Sequence, residues 1–355
     1  DTQKSIYTST FGNINTYTIY VAALLAISMI LFTQEKNQKR MFWYYGNMIL
    51  TSFALIMGSS DNAYLSLAAI FGLAPLWLFQ TKTGLRRYVI SLSTFFTVIL
   101  CINGINKAYA ASVLGIDSAF NLIAGTKFLP VLVVLLWVIA VVLIFMNRKP
   151  QALMNRTTDD SMNKIAVYIW IGVIAVVCLA VLFVLYDANL GGHADKYGAL
   201  SSYVVFNDEW GTQRGYVWKR AMEIYTKKLN LLQKIFGYGP DTFALIMQYY
   251  YPGEMQNGRM VIFDSAHNEY LHYLVTTGFV GMASYLVFMV SSIVAMAKKI
   301  KEQPIVAAVM VAVLAYAIQA VVNINLPIAM PIILQLLAMG VGRKKTADKA
   351  EEKAE

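Results

Sequence analysis

Apolar residues run along this chain in long unbroken blocks separated by short polar connections, at residues 14–33, 41–58, 63–80, 88–105, 128–146, 165–186, 269–297, 304–322 and 327–341. A hydrocarbon core about 30 Å thick is crossed by about 20 residues of helix, so the pattern predicts nine spans. The blocks lack the roughly ten-residue alternation of an outer-membrane barrel. Backbone polar groups in lipid must be satisfied internally, which leaves helices. The expected fold is therefore all-α, a polytopic membrane helical bundle. Residues 1–186 hold membrane helices 1–6, 187–268 form the single long polar segment, 269–341 hold helices 7–9, and 342–355 are a charged tail.

Composition agrees with that pattern and excludes a soluble enzyme. The chain is 58% hydrophobic and only 14% charged, against about a quarter charged in soluble domains, and its mean hydropathy is +0.54. Cys101 and Cys178 lie inside separate apolar blocks and read as small core residues, so neither a disulfide framework nor a thiolate metal site is expected.

The net charge of +9 changes meaning once the cations are placed. Lys36, Lys39 and Arg40, then Lys82, Arg86 and Arg87, then Arg148, Lys149, Arg156 and Lys164, then Lys298, Lys299 and Lys301 occupy connections that alternate with connections poor in Lys and Arg. By the positive-inside rule these face the cytoplasm, together with the tail of Arg343, Lys344, Lys345, Lys349 and Lys353. The opposite connections and the start of the chain carry only Lys4, Lys107 and Lys127. The cations are topology signals, and no nucleic-acid partner is expected. Residues 187–268 then lie outside the cytoplasm, as one large extracytoplasmic (periplasmic or extracellular) catalytic loop, where function is expected. The same count leaves Asp1 outside with no initiator Met or signal peptide. Further spans upstream are expected, with processing or an incomplete gene as alternatives.

Within the outer segment, residues 187–212 read as loop, rich in Gly, Asp, Asn and Ser. From Gln213 to Phe236 the residues Trp218, Ala221, Met222, Tyr225, Leu229 and Leu232 recur at helical spacing, and Arg214 falls on their stripe. Lys219, Arg220, Glu223, Lys227 and Lys234 occupy the other face, as in a basic helix lying at a bilayer surface. Arg214 on an apolar face needs an anion for its donors, either phosphate oxygens or a structural carboxylate from Asp208, Glu209 or Asp264. The run from Gly237 to Phe243 is a helix stop and restart, with a phosphate cradle as the weaker alternative. Residues 248–263 form an aromatic loop suited to the membrane interface or to sugar faces.

Asp264-Ser265-Ala266-His267-Asn268-Glu269 leads into the seventh span. Capping by Asp264 or Ser265 would put His267 in the first helical turn, where the helix dipole favours a neutral imidazole able to accept a proton. The plain alternative is a histidine that only hydrogen-bonds at a helix start. Gly278 and Gly281, near the same stripe, would let another helix approach. His272 points elsewhere, and His193 reads as exposed.

The constellation resembles the O-antigen ligase and O-antigen polymerase superfamily of lipid-linked glycan transferases. His267-Asn268, nine residues, Gly278, two residues and Gly281 reproduce that family's histidine motif. Arg214, Trp218 and Ala221 followed by the Gly237–Phe243 turn are similar to its preceding arginine-helix-glycine arrangement. The resemblance is specific over residues 214–285 and topological elsewhere. The family usually has more spans before the loop than the six seen here. What the resemblance implies is a GT-C-like membrane glycosyltransferase in the bacterial cytoplasmic (inner) membrane, multi-pass, with its active site on the extracytoplasmic face. It would transfer a glycan from a polyprenyl (undecaprenyl) diphosphate donor to a lipid or glycan acceptor hydroxyl, among membrane lipids, in polysaccharide or lipopolysaccharide biosynthesis for the cell envelope.

In that chemistry His267 is the expected base and Arg214 the cation that stabilises the departing diphosphate. Attack opposite the leaving group would invert the anomeric centre. Arg220, Lys219, Arg259, Asp264, Asn268, Trp218 and Lys107 are the expected substrate-binding residues, Asp264 orienting His267 or pairing with Arg214. No metal and no cofactor are expected, because no Asp-x-Asp pair occurs on the outer side. A repeat-unit polymerase and a protein O-oligosaccharyltransferase share this donor chemistry and are alternatives. A transporter with an outer cap would require mid-bilayer charges and matched helix breaks; Asn47, Asn103 and Gln319 are polar but uncharged, and the Pro327 and Pro331 break is unmatched. A non-catalytic membrane anchor is the third class.

Overall fold

The computed structural model describes residues 9–113, 115, 119–146, 156–252, 263–301, 303–324 and 328–342. These contain helices and no strand. Six helices are long and apolar enough to cross a membrane, at Ile14–Gln34, Lys82–Ala108, Leu129–Met146, Lys164–Asn189, Gly278–Ala297 and Pro304–Val322. The protein is thus an all-α, multi-pass membrane protein.

The chain forms two compact units. One comprises Asp1–Gly172, Ser292–Gln319 and Leu326–Glu355, and the other Val173–Ser291 with Ala320–Asn325. In the first unit, α1 (Ile14–Gln34) is buried nearly all round, with Leu25, Ala26, Met29 and Ile30 fully enclosed. A helix apolar on every side must be enclosed or lipid-facing. Its most extensive partner is α15 (Pro304–Gln319). Small residues let these two backbones come close, Ala22, Ala23 and Ala26 on α1 with Ala307, Ala308, Ala312 and Ala315 on α15. α2 (Gln38–Met57) also lies on α1, and the shorter α3 (Ala63–Leu73), α4 (Pro75–Leu78) and α16 (Met330–Gly342) fill out the unit. The third predicted span is broken between α3 and α4 because Pro75 has no N–H to continue the ladder.

α5 (Lys82–Ala108) packs on α7 (Leu129–Met146), and the short α6 (Ala119–Ala124) sits between them in sequence. Buried polar side chains find partners across helices. Ser66 donates to Gln319 Oε1 at 2.5 Å, Trp137 Nε1 to Thr97 Oγ1 at 3.0 Å, and Trp170 Nε1 to the Gly72 carbonyl at 2.8 Å. Cys101 and Cys178 are exposed rather than in a core. In a membrane bundle an apolar block has a lipid-facing side as well as a protein-facing one, so residence in such a block does not imply burial by protein.

The second unit contains the C-terminal part of α8 (Arg156–Asn189), a 3-10 helix at Ala194–Leu200 and α9 (Ser201–Val204). It continues through α10 (Trp210–Glu223), α11 (Leu231–Phe236), α12 (Phe243–Tyr250), α13 (Glu269–Thr276) and the first part of α14 (Gly278–Ala297). Its core is Val217, Ala221, Ile224, Phe243, Ile246, Met247, Ala266, Leu271 and Val275. Four expectations are corrected here. Residues 187–212 contain short helical turns rather than loop throughout. The single helix expected over 213–236 is interrupted by a π-helical turn at Ile224–Lys228 and restarts at Asn230, whose side chain forms a capping box with Gln233. α10 is anchored in the protein core through Val217 and Ala221, while Met222 on its stripe is 45% exposed, so the stripe is not as a whole the membrane-facing side of an interfacial helix.

The fourth correction concerns the seventh span, expected as one helix over 269–297. It is broken at Thr277–Gly278, where Gly278 has φ +68°. The Thr276 carbonyl, freed by the break, accepts from the N–H groups of Tyr238 at 2.9 Å and Gly239 at 2.8 Å. Gly237 and Gly278 face each other there. A Cβ on Gly237 would overlap the Thr276 carbonyl, and one on Gly278 the Ile235 carbonyl. Gly278 thus admits the turn after α11, not another spanning helix, and a Cβ on Gly281 would meet the side chain of Thr277, at the break just before α14.

Candidate active site

α10 and the segment before α13 carry Arg214 and His267, the expected catalytic residues, and both belong to the second unit. α10 starts irregularly. Gly211, Thr212 and Gln213 have φ of +59°, +62° and +72°, a left-handed run that two side-chain-bearing residues seldom adopt. The run curls the backbone around the next residue, so that Arg214 Nη1 donates to the Gly211 carbonyl at 3.0 Å. Such strain costs of order 1–3 kcal/mol per residue and persists where the surroundings enforce it. Asp208, a candidate structural partner for Arg214, is ion-paired with Lys219 at 2.7 Å.

Two turns along α10, Trp218 is held by aromatic neighbours, with ring centroids 5.2 Å from Trp210 and 6.0 Å from Phe206. Its indole Nε1 donates to the Ala266 carbonyl at 2.9 Å. This bond joins the arginine-bearing helix to the residue before His267. Val217 and Ala221 beside it are fully buried.

His267 does not lie in the first turn of α13. The N-cap is Asn268, whose side chain accepts from Leu271 N at 3.0 Å, and His267 precedes it with φ +48°. Ser265 Oγ accepts from His267 N at 3.2 Å instead of capping the helix. Asn268 wins because its extended backbone and short side-chain carbonyl meet both requirements of a cap. Burial, then the charge of Arg214, push the His267 imidazole below its ordinary value; Asp264 pulls the other way, and His272 adds a further lowering. The guanidinium and the imidazole are close enough to feel each other, and the ring is biased towards its neutral form. Its Nδ1 is buried without a hydrogen-bond partner among the described residues.

Beside these groups lies a cavity of about 490 Å³. It is lined by the apolar Phe206, Trp218, Met222, Leu271, Leu274 and Met282, with Tyr270, Lys219 and Asn268 completing the wall. Neither Arg214 nor His267 lines it directly. Trp218 and Asn268 do, so the cavity adjoins the pair through their sequence and hydrogen-bond neighbours.

The remaining predicted residues fall in different places. Lys219 reaches the cavity while bonded to Asp208 and lying over the Phe206 ring at 5.7 Å. Arg220 is occupied elsewhere. It pairs with Glu223 at 2.9 Å and lies over Tyr251 at 4.7 Å and Tyr216 at 5.4 Å. Tyr251 and Arg220 together hold the Glu223 carboxyl below the usual carboxylate range. Asp264 is exposed. Lys107 sits in the last turn of α5, in the first unit, and is not among the cavity residues. Arg259 lies outside the described residues.

The glycine turn is not a phosphate cradle. The amides of Tyr238 and Gly239 are bonded to Thr276, and that of Gly237 to the Gln233 carbonyl at 2.7 Å, so all three donors are already used. His193, expected as merely exposed, bonds through Nδ1 to Asp187 at 2.7 Å, and Tyr197 and Lys196 complete that cluster. His272 stacks on Phe243 at 5.4 Å.

Sequence reasoning missed Glu269, which is 1% exposed in the first turn of α13. An acid placed where an apolar span begins is the signal that could have found it, since such a position carries favourable dipole and unfavourable desolvation together. The capping role of Asn268 was missed as well. Among the described residues no three His, Cys, Asp or Glu side chains converge as a metal-ligand group. Residues 110–286 match the family model described as O-antigen ligase. No curated protein matches the chain.

Proposed function

The chain belongs to the O-antigen ligase superfamily and is an O-antigen ligase-type membrane glycosyltransferase in general terms, and from that premise we propose its donor, its site and its chemistry. The donor is a glycan on a polyprenyl diphosphate, presented from the bilayer. The acceptor is a hydroxyl of a lipid or glycan, and transfer takes place on the extracytoplasmic face of the cytoplasmic membrane. The acceptor oxygen attacks the anomeric carbon, the bond to the diphosphate breaks, and configuration inverts.

His267 takes the acceptor proton. A base must be uncharged to do so, and burial next to a guanidinium keeps the imidazole neutral to lower pH than a free one. Arg214 faces the charge that develops on the leaving diphosphate. Fixed donors aimed at developing charge in a water-poor site are among the largest sources of rate acceleration, and a planar guanidinium matches phosphate oxygens in pairs. This reading assigns the role to Arg214 rather than to a divalent ion. Lys219 and Trp218 present a cation and an aromatic face to the cavity, whose size lies in the range of about 300–1,000 Å³ that holds small ligands. Such a wall suits a sugar unit adjoining the reacting bond.

The observation that carries the proposal is that the arginine and histidine motifs, 53 positions apart by number (267 − 214), are joined within one unit by the bond from the Trp218 indole to the Ala266 carbonyl. The test is in vitro transfer from a synthetic undecaprenyl diphosphate glycan with chelator present, comparing the unsubstituted protein with Arg214→Ala and His267→Ala. The expected result is transfer that survives chelation and is lost in both variants. Loss on chelation alone would overturn the metal-free mechanism, and full activity in either variant would overturn its assigned role. Lipid, glycan and protein acceptors supplied in parallel separate ligase, polymerase and protein glycosylation.

A further inference from the structure

α11 and α12 carry apolar side chains that no described part of the protein covers. On α11, Leu231, Leu232 and Phe236 are 72%, 69% and 63% exposed, and on α12 Leu245 and Tyr249 are 66% and 75% exposed. Leu232 and Phe236, and likewise Leu245 and Tyr249, are four residues apart and so share one face of their helix. The opposite side of α12 is fixed in the core by Phe243, Ile246 and Met247. These helices are also tied to each other. The hydroxyls of Tyr238 and Tyr250 are 2.7 Å apart, linking the turn after α11 to the end of α12. Lys234 Nζ donates to the Thr226 carbonyl at 2.9 Å, closing α11 against the turn before it.

Where this element sits follows from its contact with α14. The turn after α11 bonds to Thr276 and packs against Gly278, the residue at which a membrane-length helix begins. The end of α11 therefore lies where the chain passes from water into hydrocarbon. Its charge fits the same place: residues 223–250 contain Lys227, Lys228 and Lys234 against the carboxylates of Glu223 and Asp241, and Lys227, although 3.8 Å from Glu223, stays 72% exposed. Clustered apolar side chains beside lysines, at the height of a span's end, have the make-up of an element half-sunk in the head-group region. Tyrosines concentrate at that depth, and lysines reach from it to lipid phosphates.

We propose that α11 and α12 form a membrane-surface foot whose occupant is the anionic phospholipid layer of the leaflet that α14 enters at Gly278. Leu232, Phe236, Leu245 and Tyr249 enter the acyl boundary, and Lys227 and Lys228 meet head-group phosphates. The foot replaces the interfacial role expected for the helix carrying Arg214, which is packed in protein. It fixes the height of the Thr276–Gly278 break, and with it that of α13 and His267, relative to the lipid surface. The proposal does not depend on which reaction the site performs.

The test uses the full chain in lipid nanodiscs, with Cys101→Ser and Cys178→Ser as background and a bimane label on Leu232→Cys or Leu245→Cys. Lipids brominated near the head group are expected to quench both labels more than aqueous iodide does. Adding phosphatidylglycerol to phosphatidylcholine should increase that quenching, and Lys227→Glu combined with Lys228→Glu should abolish the increase. Stronger quenching by iodide than by brominated lipid at both positions would overturn the proposal. Disulfide cross-linking between copies through these cysteines would assign the face to a second copy instead. Equal quenching with and without anionic lipid would overturn the choice of occupant.

Discussion

The indole N–H of Trp218 donates to the carbonyl of Ala266 across 2.9 Å, the residue immediately before His267. Ala266 is completely buried, so its carbonyl has no water to fall back on. Trp218 is thereby the link between the helix that carries Arg214 and the strained residue that carries the imidazole. Trp218→Phe keeps an aromatic ring and removes the donor. A buried acceptor left unsatisfied costs about 1–3 kcal/mol, so thermal unfolding should move down measurably, and glycan transfer should fall about tenfold or more while the protein still inserts. Unchanged transfer and melting would show that the bond is incidental.

The proximity of Arg214 to His267 has a direct consequence for pH. A lowered imidazole pKa means that the neutral, proton-accepting form persists below the ordinary value of about 6.5, so transfer should lose activity on the acid side only below that point. Arg214→Gln removes a charge that lowers the pKa, and the acid limb of its residual activity should move to higher pH. Asp264 acts in the opposite sense, and Asp264→Asn should move the limb to lower pH. Carbethoxylation of His267 followed against pH reads the same shift without relying on turnover. An acid limb at the same pH in all three proteins would remove the electrostatic coupling.

Gly237 and Gly278 both have positive φ, and a Cβ on either would overlap backbone of the opposing segment, Thr276 and Thr277 for Gly237, Ile235 and Gly237 for Gly278. Alanine at Gly278 incurs a left-handed backbone penalty of about 1–2 kcal/mol and overpacking of about 1–3 kcal/mol. Gly278→Ala and Gly237→Ala should each free the turn from Thr276, seen as faster tryptic cleavage after Lys234. Gly12, which has positive φ but open space around it, supplies the comparison: Gly12→Ala should leave cleavage at Lys234 unchanged. Equal cleavage rates in all variants would refute the clamp.

Arg220 and Lys219 are neighbours with opposite expectations. Arg220 is engaged by Glu223 and by two tyrosine rings, whereas Lys219 reaches the cavity. Lys219→Met should raise the KM for the lipid-linked donor several-fold with a smaller change in kcat. Arg220→Met should leave KM nearly unchanged and lower stability by about 1 kcal/mol, the scale of a partly exposed ion pair with cation-π support. The reverse pattern would return Arg220 to the substrate.

Much of this protein was readable from its sequence. Apolar blocks of membrane length predict helices because lipid offers the backbone no other partner, and an all-helical multi-pass protein is what the chain forms. The spacing from His267 through Gly281 identified the superfamily, since that signal is carried by residue identity and order. The places where the reading slipped share a cause. Whether Cys101 faces protein or lipid, whether α10 lies on a membrane or in a core, and whether Gly278 receives a helix or a turn all depend on what lies opposite in space. A helical stripe records that a face is covered, not what covers it. The break at Thr277 follows from a carbonyl satisfied by Tyr238 and Gly239 from some 37 residues away (276 − 239), and the left-handed backbones at Gln213 and His267 are imposed by packing rather than by their own side chains. Local chemistry named the guanidinium and the imidazole; only the folded chain, through the bond from Trp218 to Ala266, decided that the segments carrying them are joined.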